Sequence, residues 1–428
     1  MAEAAVPAAP AGIPKRYVLV GLCFLATFIC YIDRVNISVA IIPMAEEYGW
    51  SGTTKGLVLS SFFIGYLAAM IPSGWLANRI GGKLLLGLAL IGWSLFTVLT
   101  PFAAGISLAV LIVTRIAMGV GEAATFPAIY GLFARWLPPT ERSRAVAFNL
   151  TGIAVGTIFA LSTTGWLVAN HGWQSVFYVF GFAGVLFAVA WFMLVHPTPS
   201  AHPAISSMER ALLAPMEAEV GDHPEPVPWR RLFSHSAVWA LIINHFCTNW
   251  SLYLMLAWLP SYFRDAQHLS ITGSGLFAVG PWVSYFVVGN AGAALADRLI
   301  ARGTDLTRVR KGFQVVGLLG TGGFTLLAAG ATTPTMALLT LCGALGMLGL
   351  TWSGFASNYF DIAPKHADVL VGITNTAGTL PGIIGVAATG LLLDWTGGYT
   401  ATLIIAAGVN VIGAGVWLIW GTGKRIMD

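Results

Sequence analysis

The chain has 428 residues, of which 57% are hydrophobic and only 9% charged, with a formal net charge of +4. A soluble domain carries roughly a quarter charged residues, so a soluble globular fold is excluded and most of the chain must face lipid. Apolar runs of about 20 residues, each able to span a bilayer, recur along almost the whole sequence.

The Ala/Pro-rich stretch Met1 to Pro14 has no basic n-region, and the apolar run after Lys15 and Arg16 is too long for the h-region of a signal peptide. A disordered tail over residues 1–15 is expected, then an uncleaved first span. Splitting the apolar runs at polar or Pro/Gly-rich breaks predicts spans near 16–43, 54–77, 83–104, 106–134, 143–169 and 172–196, an N-terminal bundle over 16–196. A polar, Pro-rich cytoplasmic linker over 197–234 follows. Six more spans near 235–263, 273–297, 311–330, 334–362, 366–394 and 397–420 make a C-terminal bundle over 235–420, before a cytoplasmic tail at 421–428. The fold class expected is an all-α membrane protein with twelve transmembrane helices in two pseudo-symmetric six-helix bundles.

Orientation follows from basic residues, which stay on the cytoplasmic side. With both termini inside, every Lys and Arg falls in the tails or inner loops, apart from Arg34 and Arg115 within spans and Lys55 and Arg264 outside. The net charge therefore reflects topology, not nucleic-acid binding. Cys23, Cys30, Cys247 and Cys342 all lie inside apolar runs, which points to packing residues and away from a disulfide framework or zinc site.

An internal repeat relates the halves. Gly74-Trp-Leu-Ala-Asn-Arg79 after span 2 matches Gly292-Ala-Ala-Leu-Ala-Asp-Arg298 after span 8, and Asn149 and Gly152 match Asn375 and Gly378. Duplication of this kind implies a substrate site between the halves near the bilayer midplane.

Only Asp33, Arg34, Arg115 and Glu122 are charges clearly inside spans. Each costs about 2.5 to 3.5 kcal/mol at mid-bilayer, on the order of 10 kcal/mol together, unless they pair or meet water. Arg115 and Glu122 are two helical turns apart, so they project from one face of span 4, which is expected to look into the cavity. Arg34 and Arg115 lie at similar depth, about nine residues or roughly 13 Å from the outer ends of their helices. Two guanidiniums at one level can hold a carboxylate or phosphate bidentately. Burial favours the protonated form of a carboxyl and a nearby arginine the ionised form, so Asp33 and Glu122 are the candidate proton-coupling groups, with Arg115 as charge partner. The bland alternative is four charges in fixed salt bridges locking helices 1 and 4 together.

With these residues placed, the sequence resembles the anion:cation symporter family of the major facilitator superfamily. The resemblance rests on Gly74-Trp-Leu-Ala-Asn78-Arg79-Ile-Gly-Gly-Lys83, Tyr31-Ile-Asp33-Arg34-Val-Asn36, Ser61-Phe-Phe-Ile-Gly-Tyr66, Arg115-Ile-Ala-Met-Gly-Val-Gly-Glu122 and Gly372-Ile-Thr-Asn375-Thr-Ala-Gly378-Thr-Leu-Pro381-Gly382. Asn78 stands where the family usually has Asp. The last block resembles the branch holding sialin, vesicular glutamate transporters and plant plastid anion transporters; the first span also resembles bacterial galactonate and hexuronate symporters. The resemblance implies that Arg34 recognises the substrate anion, and that Tyr31, Tyr66, Ser353 and Asn375 line its site. Thr248 and Leu59 replace an arginine and a histidine of the glutamate transporters, so glutamate is not the expected cargo; Met118 replaces an acidic residue of sialin, so sialin-like coupling is not fully reproduced. The inner loops are expected to gate the site through Arg79, Lys83, Glu141, Arg142 and Arg144.

The function expected is secondary active, proton-coupled symport of a small organic anion, with sugar acids such as hexuronates or aldonates ahead of phosphate and aromatic acids. A uniporter or exchanger using the same arginines, and a transporter-like membrane sensor, are the alternatives. No metal-spaced cluster, no nucleophile with a base and no nucleotide loop is present, so no enzyme and no cofactor is expected. Gly119-Val-Gly121 and Gly320-Thr-Gly-Gly323 read as small residues for helix packing. His245 reads as a packing histidine before a proton carrier. The partners expected are the anion, a proton and lipid, with the chain acting as a monomer. The outer loops are short and carry no glycosylation sequon, which favours a bacterial inner membrane.

Overall fold

The computed structural model of the protein describes residues 13–219 and 228–427. The stretch expected as a disordered tail lies, up to residue 12, outside the described residues, as do 220–227 of the linker.

The first half comprises α1 (Lys15–Tyr48), α2 (Gly52–Ile80), α3 (Gly82–Ile106), α4 (Leu108–Glu122), α5 (Thr125–Trp136), α6 (Pro139–His171) and α7 (Trp173–Leu194). The linker carries α8 (Ser207–Glu219) and the short α9 (Trp229–Ser234). The second half comprises α10 (Ser236–Asp265), α11 (Ile271–Ala301), α12 (Leu306–Ala329), α13 (Pro334–Leu350), α14 (Phe355–Ile362), α15 (Ala367–Thr396) and α16 (Thr400–Trp420). The fourth and tenth spans are each broken: α4 passes to α5 through Ala123–Ala124, and α13 to α14 through a 3-10 turn at Thr351–Ser353.

Among the described residues, eleven spans, counting each broken one once, are long and apolar enough to cross a membrane. The twelfth, α10, falls short in apolarity because Asn244, Thr248, Asn249 and Ser251 lie along it. All four are buried in the protein, so their polarity never meets lipid. The two bundles repeat each other down to their helix caps. Ser51 and Ser270 cap the second and eighth spans, and Ser107 and Thr333 the fourth and tenth, each accepting a backbone N–H of the first turn.

Both described ends of the chain emerge on one face, called here the termini face; the opposite one is the far face. Between the halves, α2 packs on α15 and α6 on α11. At the far face these contacts are backbone against backbone. A Cβ on Gly390 would lie 2.1 Å from the Gly52 carbonyl oxygen, and one on Gly275 would lie 2.6 Å from that of Leu161. Ion pairs Lys55–Asp265 (3.3 Å) and Arg264–Glu46 (3.5 Å) also cross between halves here. Among the described residues, the ion pairs at the termini face lie within a half or reach the linker: Arg16 with Glu141 and Glu209, and Arg310 with Asp361.

Candidate functional site

The site is built on α1, α2 and the end of α4. Gly65 and Gly119 bring α2 and α4 into backbone contact; a Cβ on Gly65 would sit 1.9 Å from the Ile116 carbonyl oxygen. The glycines of span 4 are therefore packing residues, and the close crossing lays Phe62 over the charged face of α4.

Arg34 is almost fully buried, and its Nε and Nη2 meet Glu122 Oε2 at 2.9 and 2.8 Å. The guanidinium carbon lies 4.6 Å from the ring centre of Tyr31, 5.0 Å from Phe62 and 4.8 Å from Tyr66. Its remaining nitrogen, Nη1, donates to the Tyr31 hydroxyl at 3.3 Å. One cation thus sits in a cage of three aromatic faces with a single carboxylate oxygen as its charged partner. The other oxygen, Glu122 Oε1, is buried with no hydrogen-bond partner among the described residues.

The structure corrects three details of the sequence reading. Arg34 and Arg115 do not form a twin clamp. Arg115 is 2% exposed; its Nη1 meets Met118 Sδ at 3.0 Å, its Nε has no partner, and the ring of Phe62 lies 5.5 Å from its guanidinium. The Arg115 and Glu122 face of span 4 is shared as expected, but it looks into the N-terminal bundle because α2 crosses over it at Gly65. Cys30 is more than packing, since its thiol lies 3.2 Å from Glu122 Oε2. Asp33 is wholly buried, with Glu122 and Arg115 as its charged neighbours and the Trp93 indole N–H as the polar group beside it. The four membrane charges therefore form one cluster holding one direct pair, not two fixed bridges.

Tyr31 and Tyr66, read from the sequence as lining residues, stand against Arg34. Asn375 is half-buried on α15. Ser353 sits at the break of the tenth span with its hydroxyl buried and unpartnered and its carbonyl held by Arg310 at 2.9 Å. Asn149 joins α6 to α1 by accepting from Thr27 at 3.0 Å. His245 meets the Tyr359 hydroxyl at 3.2 Å, and that hydroxyl also accepts from Thr374 at 2.9 Å. Sequence reasoning passed over Phe62 and Tyr253. Tyr253 of α10 packs on Phe63 with ring centres 4.5 Å apart and lies within electrostatic reach of Arg34 and Tyr66, so the second half also contributes to the surroundings of Arg34.

The profile of the Major Facilitator Superfamily matches residues 23–386. A chloroplastic sodium-dependent phosphate transport protein of Arabidopsis thaliana is 40% identical over 415 residues, covering 97% of this chain and 81% of the relative. A chloroplastic ascorbate transporter of the same plant is also 40% identical, over 419 residues, with 97% and 76% covered. The chain belongs to the major facilitator superfamily. As a superfamily member it is a multi-pass membrane transporter and not an enzyme. Its backbone superposes on a bacterial homologue of the human lysosomal transporter Spinster with a TM-score of 0.77 at 17% identity, over 96% of this chain and 97% of the other, a likeness of fold.

The loops of this transporter expected to gate the site make contacts within the first half and to the linker. Glu141 accepts from Arg16 at 2.9 Å and from the Tyr17 hydroxyl at 3.2 Å. Glu209 of α8 receives the backbone N–H groups of Lys15 and Arg16 at 3.0 Å each, tying the linker to the start of α1. Arg142 donates to the carbonyls of Leu137 and Ala134, and Arg79 lies over the Trp75 ring.

Proposed function

We propose that this transporter carries a small organic anion across the membrane together with protons, by alternating access. The observation that carries the reading is the Arg34–Glu122 pair inside its aromatic cage. A substrate carboxylate and the Glu122 carboxylate compete for the same guanidinium, and a proton on Glu122 frees the arginine for substrate. Asp33, wholly buried near Glu122 and Arg115, is the second proton-coupling group, and Arg115 balances the charge of both. Tyr31, Tyr66, Ser353 and Asn375 complete the substrate site.

The rings around Arg34 suit a cargo with apolar as well as polar faces, which favours a sugar-acid-sized anion over a bare inorganic one. A relative named as an ascorbate transporter agrees with that class. The second reading is a uniporter, exchanger or sodium-coupled phosphate carrier, favoured by the relative named as a sodium-dependent phosphate transport protein. A sensor has no support among the relatives. Nor has a bacterial inner membrane, since both plant relatives are named as chloroplastic.

We further take the termini face as cytoplasmic. On that orientation the far-face contacts close the outer side and the conformation is inward-facing. Arg79, Lys83, Glu141, Arg142 and Arg144 then act as the inner gate, making cross-half contacts when that face shuts.

Reconstituted protein with a panel of organic anions and phosphate tests the coupling. Glu122→Gln should bind substrate and exchange it, yet not accumulate it under an imposed proton gradient. If Glu122→Gln and Asp33→Asn both accumulate substrate as well as the parent does, neither carboxyl couples protons and the uniport or sodium reading takes over.

A further inference from the structure

At the termini face, the turn between α11 and α12, the first turns of α12 and the chain after α16 enclose a cleft of about 900 Å³. Among the described residues its charged lining is Arg302, Arg308, Lys311 and Lys424 against one carboxylate, Asp305. That carboxylate is already engaged, because Asp305 caps α12 by accepting from the Arg308 backbone N–H at 2.9 Å. Lys311 Nζ donates to the Leu418 carbonyl at 2.6 Å, which offsets the negative end of α16. Arg302, Arg308 and Lys424 are exposed, and none of them is in an ion pair among the described residues. Like charges gathered in one cleft repel each other, and an anion among them relieves the repulsion.

The apolar surface beside this open cleft narrows the choice of anion. Leu418, Ile419 and Trp420, the last residues of α16, are 52%, 75% and 42% exposed. An apolar strip ending in a tryptophan marks where a helix leaves the hydrocarbon for the headgroup layer. A soluble anion would use the charges alone, whereas a phospholipid uses the charges and the strip. We propose that this cleft binds an anionic phospholipid of the adjoining leaflet, with its phosphate among Arg302, Arg308 and Lys424 and its acyl chains along Ile419 and Trp420.

Thermal unfolding of the purified protein in neutral detergent tests this, with phosphatidylglycerol, phosphatidylcholine or inorganic phosphate added. Phosphatidylglycerol should raise the midpoint, and the other two should not. In Arg302→Gln/Arg308→Gln/Lys424→Gln the phosphatidylglycerol needed for half the effect should rise about a hundredfold, near fivefold per cation. Equal protection of parent and variant, or equal protection by phosphatidylcholine, overturns the proposal. Protection by inorganic phosphate as strong as by the lipid makes the ligand a soluble anion and overturns the lipid assignment. Should the triple variant not fold, Lys424→Gln alone decides: its retention of phosphatidylglycerol, counted by native mass spectrometry, should fall, and unchanged retention overturns the proposal.

Discussion

Asp394 near the end of α15 and Thr53 in the first turn of α2 are joined twice across the two halves, the Thr53 N–H and hydroxyl meeting Asp394 Oδ2 at 2.8 and 2.6 Å. The Gly52 N–H adds a third bond at 2.7 Å, to Oδ1. An aspartate of one half thus caps a helix of the other, and only while the far face is shut. Asp394→Ala should release that cap and raise the population with the far face open about fivefold, a modest effect because the contact is solvent-exposed. The measurement is labelling of Ile42→Cys, a buried residue that lines a crevice between the halves at the far face, by a membrane-impermeant thiol reagent added from that side. Unchanged labelling would show that Asp394 does not hold the face closed.

Two glycine crossings should respond differently to the same added methyl group. Gly65→Ala opposes a contact inside the N-terminal half and should lower stability by about 1–3 kcal/mol. Gly390→Ala opposes a contact between halves, which the molecule can relieve by opening. Its unfolding midpoint should stay close to that of the parent while the far-face labelling rises. Equal losses of stability in the two variants would show that the halves do not separate at this crossing.

Arg34→Lys tests what the caged guanidinium does. An ammonium keeps the charge but cannot place two N–H groups on one carboxylate while a third meets Tyr31. Substrate affinity should fall at least about tenfold, and transport should not recover at higher substrate. Binding of the cargo by the Lys variant at the parent's affinity would remove Arg34 from the site.

The Arg310–Asp361 pair, at 2.6 Å, anchors the termini-face end of the second half, where Arg310 also holds the Ser353 carbonyl at the break of the tenth span. Asp361→Ala leaves a mostly buried guanidinium without its carboxylate and should cost about 3 kcal/mol. Chemical unfolding should register that loss, and Arg310→Met/Asp361→Leu should recover part of it. No loss in the single variant would mark the pair as idle.

Much of this was readable from residue types. Lipid selects so strongly against charge that Arg34, Arg115, Asp33 and Glu122 stood out in their apolar runs, and all twelve spans could be placed from the apolar runs and their breaks. Which charge meets which was not readable, because it depends on the angle at which α2 crosses α4, set by Gly65 and Gly119 through contacts invisible in a linear pattern. Phe62 and Tyr253 escaped notice since an aromatic among aromatics carries no local signal. Cys30 could have been found: it lies one helical turn before Arg34 on the same face of α1. The role of Asp394 was hidden because an acidic residue at a helix end ordinarily meets water.

The backbone contact between Gly52 and Gly390 also bears on how much order the molecule gives up when it closes. Where two helices meet through glycine, no rotamers are frozen at the seam, so shutting the far face costs little side-chain entropy beyond that of Asp394, Lys55 and the few residues they touch. Nothing interlocks there that must be unthreaded when the halves part again. Closed and open arrangements can then lie within a few kcal/mol of each other, and a ligand that binds one of them only modestly better is enough to tip the balance.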